Sequence, residues 1–162
     1  MKFPEPEDSF TEMIARYEKV IYKVCSVYAG ERSPLEDLYQ EAVCNLWRAY
    51  PRFRGESSPS TWIYRIALNT CLSDLRKRLH RPRTVPLEQA RALAAPESAD
   101  DGRAPEMLAQ LRRLNGLDRA IVLLYLEGRP YKEIASVIGL SVANIAVRLN
   151  RIRKKLSDMS NR

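Results

Sequence analysis

Apolar residues recur every three or four positions in separate runs bounded by proline, glycine or short polar side chains, a period that predicts a series of amphipathic helices. Phe10, Ile14, Tyr17, Ile21, Val24 and Tyr28 form the first run, opened by the capping-box spacing of Ser9 and Glu12 and closed at Gly30. Ser33 then precedes Pro34 at a first helical position, and Leu35, Leu38, Ala42, Leu46 and Ala49 mark a buried stripe until Pro51, a helix over about 34–50. Loop chemistry follows from Arg52 to Ser60. A long third helix then runs to about Leu79, with Ile63, Ile66, Ala67, Cys71, Leu75 and Leu79 facing inward.

From Pro82 to Pro105 the periodicity stops. Prolines at 82, 86, 96 and 105, an alanine-rich middle and the acids Glu97, Asp100 and Asp101 read as a flexible linker. Beyond it, Met107, Leu108, Leu111 and Leu114 predict a helix ended by Asn115 and Gly116, and Asp118 is expected to cap the next, Arg119 to Leu126, before Gly128. Nothing alternates with the period of a strand. The fold class expected is therefore all-α, with two small helical domains over 1–81 and 106–162 joined by a linker over 82–105.

The stretch from Tyr131 to Leu156 is the most distinctive. Ile134, Ala135 and Ile138 recur at helical spacing, Gly139 suits a left-handed helix end, and Ser141 suits the cap of a following helix, which makes a helix-turn-helix. Ala135 allows the two helices to cross closely and Ile145 anchors the second. That second helix carries Arg148, Arg151, Arg153, Lys154 and Lys155 between Val142 and Lys155 and no acid. A basic helix after such a turn fits the DNA major groove and its phosphates; an ordinary helical hairpin with a solvated basic face is the alternative.

Composition narrows the classes. With 162 residues, 45% hydrophobic and 29% charged, the chain is neither disordered nor fibrous. The net charge of +7 favours a polyanionic partner, yet Glu5, Glu7, Asp8 and Glu12 leave the N-terminal stretch acidic, so the positive charge concentrates at 76–83 and 148–155. An anionic membrane would attract it too, but no apolar run has the length of a spanning helix and no signal-peptide core opens the chain; a soluble cytoplasmic protein without membrane insertion is expected. Cys25, Cys44 and Cys71 are expected to be core thiols, and with His80 as the one histidine neither metal nor cofactor is expected. Asp37, Glu41 and Asp74 form no constellation for metal-assisted or acid–base hydrolysis, which argues against an enzyme such as a nuclease.

Two polar surfaces remain. On the second helix Glu36, Asp37, Gln40, Glu41 and Trp47 form a mixed acidic and aromatic face, either solvated or a docking surface. Phe53, Arg54, Trp62, Tyr64, Arg65, Asn69 and Arg76 interleave rings with arginines, a combination suited to stacking and neutralising single-stranded nucleic acid, unless Trp62 and Phe53 belong to the core.

Taken in order, Asp37 to Glu41 with Trp47, Phe53 to Gly55, Thr61 to Asn69, Leu117 to Arg119 and the Tyr131–Leu156 helix-turn-helix resemble the extracytoplasmic-function sigma factors of the bacterial sigma-70 superfamily. The resemblance implies that 1–81 is sigma region 2, a three-helix domain, and 106–162 is sigma region 4. It implies a non-catalytic transcription initiation factor whose partners are core RNA polymerase, through the β′ clamp helices and β flap, promoter DNA, and an anti-sigma factor. Asp37, Leu38, Gln40, Glu41 and Trp47 would dock on polymerase. Phe53, Arg54, Ser60, Thr61, Trp62, Tyr64, Arg65, Asn69 and Arg76 would hold the unpaired minus-ten strand, with Asn69 where the family reads a flipped base. Ser141, Asn144, Ala146, Val147, Arg148, Asn150, Arg151, Arg153 and Lys154 would meet minus-thirty-five DNA. The linker acids would enter the polymerase channel later taken by RNA, or stay solvated. A stand-alone duplex-DNA regulator and a protein that sequesters polymerase or another sigma factor are the rival readings.

The sequence departs from the family at two places. Ala146 and Val147 stand where a basic and a hydroxyl residue are common, and Pro130 where a capping serine is common, which leaves the helix at Tyr131 without a side-chain cap at a cost of about 1 kcal/mol. Ala146 and Val147 are expected to meet thymine methyl groups. Binding of purified region 4 to its selected duplex is expected to weaken when uracil replaces those thymines; equal affinity would remove the idea.

Overall fold

A computed structural model describes residues 6–80 and 104–161, and among these every regular element is helical. The helices are α1 (Pro6–Tyr28), α2 (Leu35–Ala49), α3 (Pro59–His80), α4 (Ala104–Arg112), α5 (Gly116–Leu126), α6 (Tyr131–Ile138) and α7 (Val142–Ser160), with a 3₁₀ turn at Tyr50–Arg52. The chain divides into two compact units, Met1–Arg81 and Pro82–Arg162. The acids Glu97, Asp100 and Asp101 of the expected linker lie outside the described residues, while its last positions, Ala104 and Pro105, open α4.

In the first unit α1, α2 and α3 each pack on the other two. Ile21, Val24, Cys25 and Tyr28 from α1 meet Leu38, Ala42 and Leu46 from α2 and Ile63, Ala67 and Cys71 from α3, all at most 1% exposed. Burying one such large apolar side chain contributes about 1.5–3 kcal/mol, so these stripes hold the bundle together. Leu79, expected to face inward, is 73% exposed in the last turn of α3. Cys44 is exposed rather than core; on α2 it falls between the inward Ala42 and Leu46 and shares neither's direction. Cys71 is buried against Cys25, and the hydrogen bond between the two thiols, reinforced by burial, pushes the Cys71 pKa far up and keeps it a neutral thiol.

The helix ends differ from the expected caps. α1 begins at Pro6, so Ser9 lies within it and its hydroxyl accepts instead from Tyr50 Oη at 2.9 Å. Pro34 is the N-cap residue of α2 and makes no side-chain cap, while Ser33 is buried and exchanges two backbone hydrogen bonds with Gly30 across the turn, at 3.0 and 3.2 Å. Ser58 supports α3, accepting from the Thr61 N–H at 3.2 Å, with Pro59 at the first helical position.

The end of α1 is held from α3. Arg78 donates from Nη2 to the Tyr28 carbonyl at 2.8 Å, and its Nε lies 2.9 Å from Asp74 Oδ2. A Cβ at Gly30 would stand 2.9 Å from Arg78 Nη1, so glycine leaves the guanidinium its place. Arg78 thereby satisfies a helix-terminal carbonyl that has no partner within its own helix.

In the second unit Ile121, Val122, Leu123 and Leu124 of α5 are all buried, and α4, α6 and α7 pack around that helix. Met107, expected in the apolar stripe of α4, is 48% exposed, whereas Leu111 and Leu114 are buried. Asn115, not Asp118, caps α5: its side chain accepts from the Asp118 N–H at 2.9 Å. Arg119 ties α4 to α5, donating to the carbonyls of Leu114 and Arg112 at 2.9 Å each.

Replacing Arg78 by alanine removes both the carbonyl cap and the carboxylate partner. Thermal unfolding followed by circular dichroism is expected to show Arg78→Ala destabilised by about 1–3 kcal/mol, the cost of losing a charged hydrogen bond.

Candidate nucleic-acid interface

The outer face of α2 is set by its inner one. With Leu38, Ala42 and Leu46 buried, the 3.6-residue period turns Asp37, Gln40 and Glu41 outward, and all three are exposed. Trp47, a turn further on, is 44% exposed, with its ring edge against Phe10 at 4.9 Å between centroids. Leu38 is 1% exposed, which corrects its expected place on this face: it belongs to the core stripe and offers nothing to a partner.

Phe10 starts an aromatic seam that runs through the first unit. It meets Tyr50 at 5.2 Å, Tyr50 meets Trp62 at 6.4 Å, and Trp62 meets Phe53 at 4.7 Å. Each such pair adds about 0.5–1.5 kcal/mol beyond its burial, and together they fix the loop after α2 on the start of α3. The sequence marked Phe10 only as the first residue of an apolar stripe and did not single out Tyr50; the seam itself was signalled only as a density of rings from Trp47 to Trp62, because Phe10 lies far away along the chain.

This seam rearranges the expected minus-ten surface. Tyr64 is 1% exposed, and Thr61 and Trp62 are 8% and 9% exposed, so these three are corrected from surface to interior. Thr61 accepts from the Ser58 hydroxyl at 3.0 Å as part of the helix start. Phe53 and Ser60 are half-buried, Arg54 is exposed in the loop, and Arg65, Asn69 and Arg76 follow one another along α3 at spacings that share a side, Arg65 half-buried and the other two exposed. What remains is a surface of arginine and asparagine beside one partly open ring. It can neutralise phosphates and hydrogen-bond a base, with Phe53 left for stacking.

In the second unit the turn between α6 and α7 matches its expected chemistry. Gly139 closes α6 at φ 84°, a conformation unstrained only for glycine, and Ser141 accepts from the Asn144 N–H at 3.2 Å. The two helix axes meet at 101°, within the range of a helix-turn-helix. Pro130 leaves α6 without a side-chain cap, as expected; Glu133 in the first turn pairs with Arg129 at 3.4 Å.

Ile145, Leu149 and Ile152 face inward along α7 and orient the rest. Ser141, Asn144, Asn150, Arg151, Arg153 and Lys154 are exposed, Val147 is 48% exposed, and Ala146 is half-buried. Two arginines lean back on α5. Arg148 Nη1 lies 3.3 Å from Asp118 Oδ1, and the Arg153 guanidinium sits 4.9 Å from the centre of the Tyr125 ring and donates to its hydroxyl. Tyr125 and Tyr131 are themselves in ring contact at 6.3 Å. Asp118 was marked in the sequence only as a helix cap and as part of the Leu117–Arg119 motif, and Tyr125 only within the apolar run of α5; neither pairing was legible, since α5 and α7 come into register only in the folded unit.

Comparison with known proteins agrees with this architecture. The model of sigma-70 region 2 matches residues 13–81 and that of sigma-70 region 4 matches residues 105–156. The ECF RNA polymerase sigma-E factor of Escherichia coli K12 is 30% identical over 170 residues, covering 94% of this chain and 86% of that protein. The ECF RNA polymerase sigma factor SigG of Mycobacterium tuberculosis H37Rv is 30% identical over 185 residues; 94% of this chain is covered, and it spans 50% of that relative's length. Among solved structures, the sigma factor RpoE in complex with the anti-sigma factor NepR from Bartonella quintana matches with a TM-score of 0.74 at 18% identity, over 94% of this chain and 97% of that one. CnrH in complex with the cytosolic domain of CnrY matches with a TM-score of 0.67 at 24% identity, over 96% and 89%. At those identities the two structures speak for the fold.

The two sides of α2 can be told apart by mutation. Leu38→Ala is expected to cost about 2–5 kcal/mol in denaturant unfolding by opening a core cavity. Asp37→Ala and Gln40→Ala are expected to stay within about 0.5 kcal/mol of the parent.

Proposed function

The chain belongs to the sigma-70 family of transcription initiation factors, among its extracytoplasmic-function members, and from that premise we propose that it directs core RNA polymerase to promoters. The observation that carries this reading is the division of exposed chemistry between the units: an acidic and aromatic face on α2, and on α7 a basic face set at 101° to its supporting helix.

Residues 1–81 act as region 2, 82–105 as a linker and 106–162 as region 4. Region 2 docks through Asp37, Gln40, Glu41 and Trp47 on the β′ clamp helices; the acids meet basic partners and the exposed part of Trp47 supplies the apolar anchor. The loop then holds the unpaired minus-ten strand. Phe53 stacks, Arg54, Arg65 and Arg76 neutralise phosphates, and Asn69 reads the edge of an extruded base, with Ser60 at the loop end. Thr61, Trp62 and Tyr64 form the floor beneath them. Melting proceeds by capture of the open strand, so no catalytic group is required and the protein is not an enzyme.

Region 4 lays α7 into the minus-thirty-five major groove. Asn144 and Asn150 hydrogen-bond base edges, Val147 and Ala146 meet thymine methyls, and Arg151, Arg153 and Lys154 contact phosphates, while the unit rests on the β flap. One neighbouring solved structure is a sigma factor bound to an anti-sigma factor and the other is CnrH bound to the cytosolic domain of CnrY, and the first of these supports control of this chain by an anti-sigma factor covering the polymerase-facing surfaces. No single described helix is long and apolar enough to cross a membrane, and a factor that acts at promoters acts in the cytoplasm.

Run-off transcription from a promoter library with purified core polymerase tests the proposal. Transcripts that require the protein are expected, and Asn69→Ala is expected to reduce them by about tenfold to a hundredfold on closed templates and less on templates already opened at minus ten, the direction set by the few kcal/mol that base extrusion costs. Tight core binding without transcripts would point to a sequestering protein instead.

A further inference from the structure

The cations of α7 fall into two groups. Arg151, Lys154 and Lys155 project from the exposed side of the helix, whereas Arg148 and Arg153 are drawn toward α5, one by a carboxylate and the other by a neutral ring. The difference matters electrostatically. Tyr125 leaves the charge of Arg153 whole, while Asp118 offsets that of Arg148 and adds an anion beside the DNA-facing helix.

We infer that Asp118 is a positioning residue of the reading helix: its carboxylate holds the Arg148 guanidinium against α5, so that this arginine stays off the phosphate backbone. The inference rests on the proposed entry of α7 into promoter DNA. Three observations carry it. Arg148 lies at the edge of the outward face, one position past the exposed Val147 and one before the buried Leu149, so its side chain can reach either way. Its Nη1 lies 3.3 Å from Asp118 Oδ1, with the two side chains 33% and 18% exposed. The carboxylate is anchored: Asp118 sits in the first turn of α5, where the helix dipole favours an anion, and its own N–H is engaged by the Asn115 side chain at 2.9 Å. An arginine that left for a phosphate would strand that carboxylate close to the DNA.

Asp118 would thus limit the sequence-independent part of binding, which grows with each phosphate neutralised, and leave more of the affinity to the base-reading positions. The family motif Leu117, Asp118, Arg119 acquires a division of labour, with Arg119 holding α4 through two carbonyls and Asp118 governing α7.

The test is the salt dependence of DNA binding by holoenzyme assembled from the full chain and core polymerase, measured on a random-sequence duplex and on the duplex most enriched from a random library. Asp118→Asn is expected to steepen the slope of log affinity against log salt by about 0.9, one additional phosphate, a further loss of about threefold between low and physiological salt. It is also expected to narrow the ratio between enriched and random duplex. Arg148→Gln alone should leave the slope at the parent value, the double variant D118N/R148Q should return to it, and Asp118→Glu, which keeps the anion, should match the parent. Circular dichroism melts of each variant separate these effects from simple loss of fold, which would lower affinity without steepening its salt dependence. An enriched duplex with an unchanged or shallower slope in D118N overturns this inference and leaves the sigma-factor reading standing. Failure of the parent holoenzyme to enrich any duplex overturns that reading, and the inference with it.

Discussion

A helix in a small bundle can bury one stripe, and in this protein that constraint settles almost everything else. Once Leu38, Ala42 and Leu46 are committed to the core, Asp37, Gln40 and Glu41 have only the solvent side left to them. The same holds for α7, where Ile145, Leu149 and Ile152 spend the inward direction and leave asparagine, valine and basic side chains outside. The surfaces available to partners are the complements of the core stripes. They keep their geometry because the stripes cannot rotate without exposing leucine and isoleucine to water, at about 1.5–3 kcal/mol for each residue.

The start of α3 breaks that rule, and the reason is the aromatic seam. Four successive residues, Thr61 to Tyr64, are buried, more than one helix face can hold. They are covered from two directions: Ile63 and Tyr64 belong to the three-helix core, and Trp62 is roofed by Phe53 and Tyr50. The loop after α2 is therefore built onto the bundle by its own rings. A loop so anchored presents Arg54 from a fixed base, which lowers the ordering cost of any contact that arginine makes.

In the second unit short contacts from arginine do the work that a larger core would do elsewhere. Arg119 gathers the end of α4, Arg78 does the equivalent for α1 in the first unit, and each satisfies carbonyls that helices leave open at their C-terminal ends. α6 has no side-chain cap at its start, so its placement rests on Ile134, Ala135 and Val137 packing below it and on the left-handed Gly139 above. Membership of the sigma-70 family fits this economy, since the proposed action through exposed faces needs rigid helices and correctly turned side chains more than it needs a deep cavity.

Much of this was legible from the order of residues. Helical period is a local property, and so are the cap at Ser141, the glycine turn at 139, the missing cap at Pro130 and the stripe on α2; each depends on residues within a few positions of one another. Local rules failed where two helix starts were equally good, so that α1 opens before Ser9 and Asn115 rather than Asp118 caps α5. What only the tertiary structure decided are the contacts between distant segments. Whether Trp62 faced a nucleic acid or the interior turned on Tyr50 and Phe53 closing over it, and whether Arg148 faced a phosphate or a carboxylate turned on Asp118 arriving beside it from α5. A sequence states which side chains each helix offers to its surroundings; burial and charge pairing depend on what the other helices bring to the same place, and that is set only when they pack.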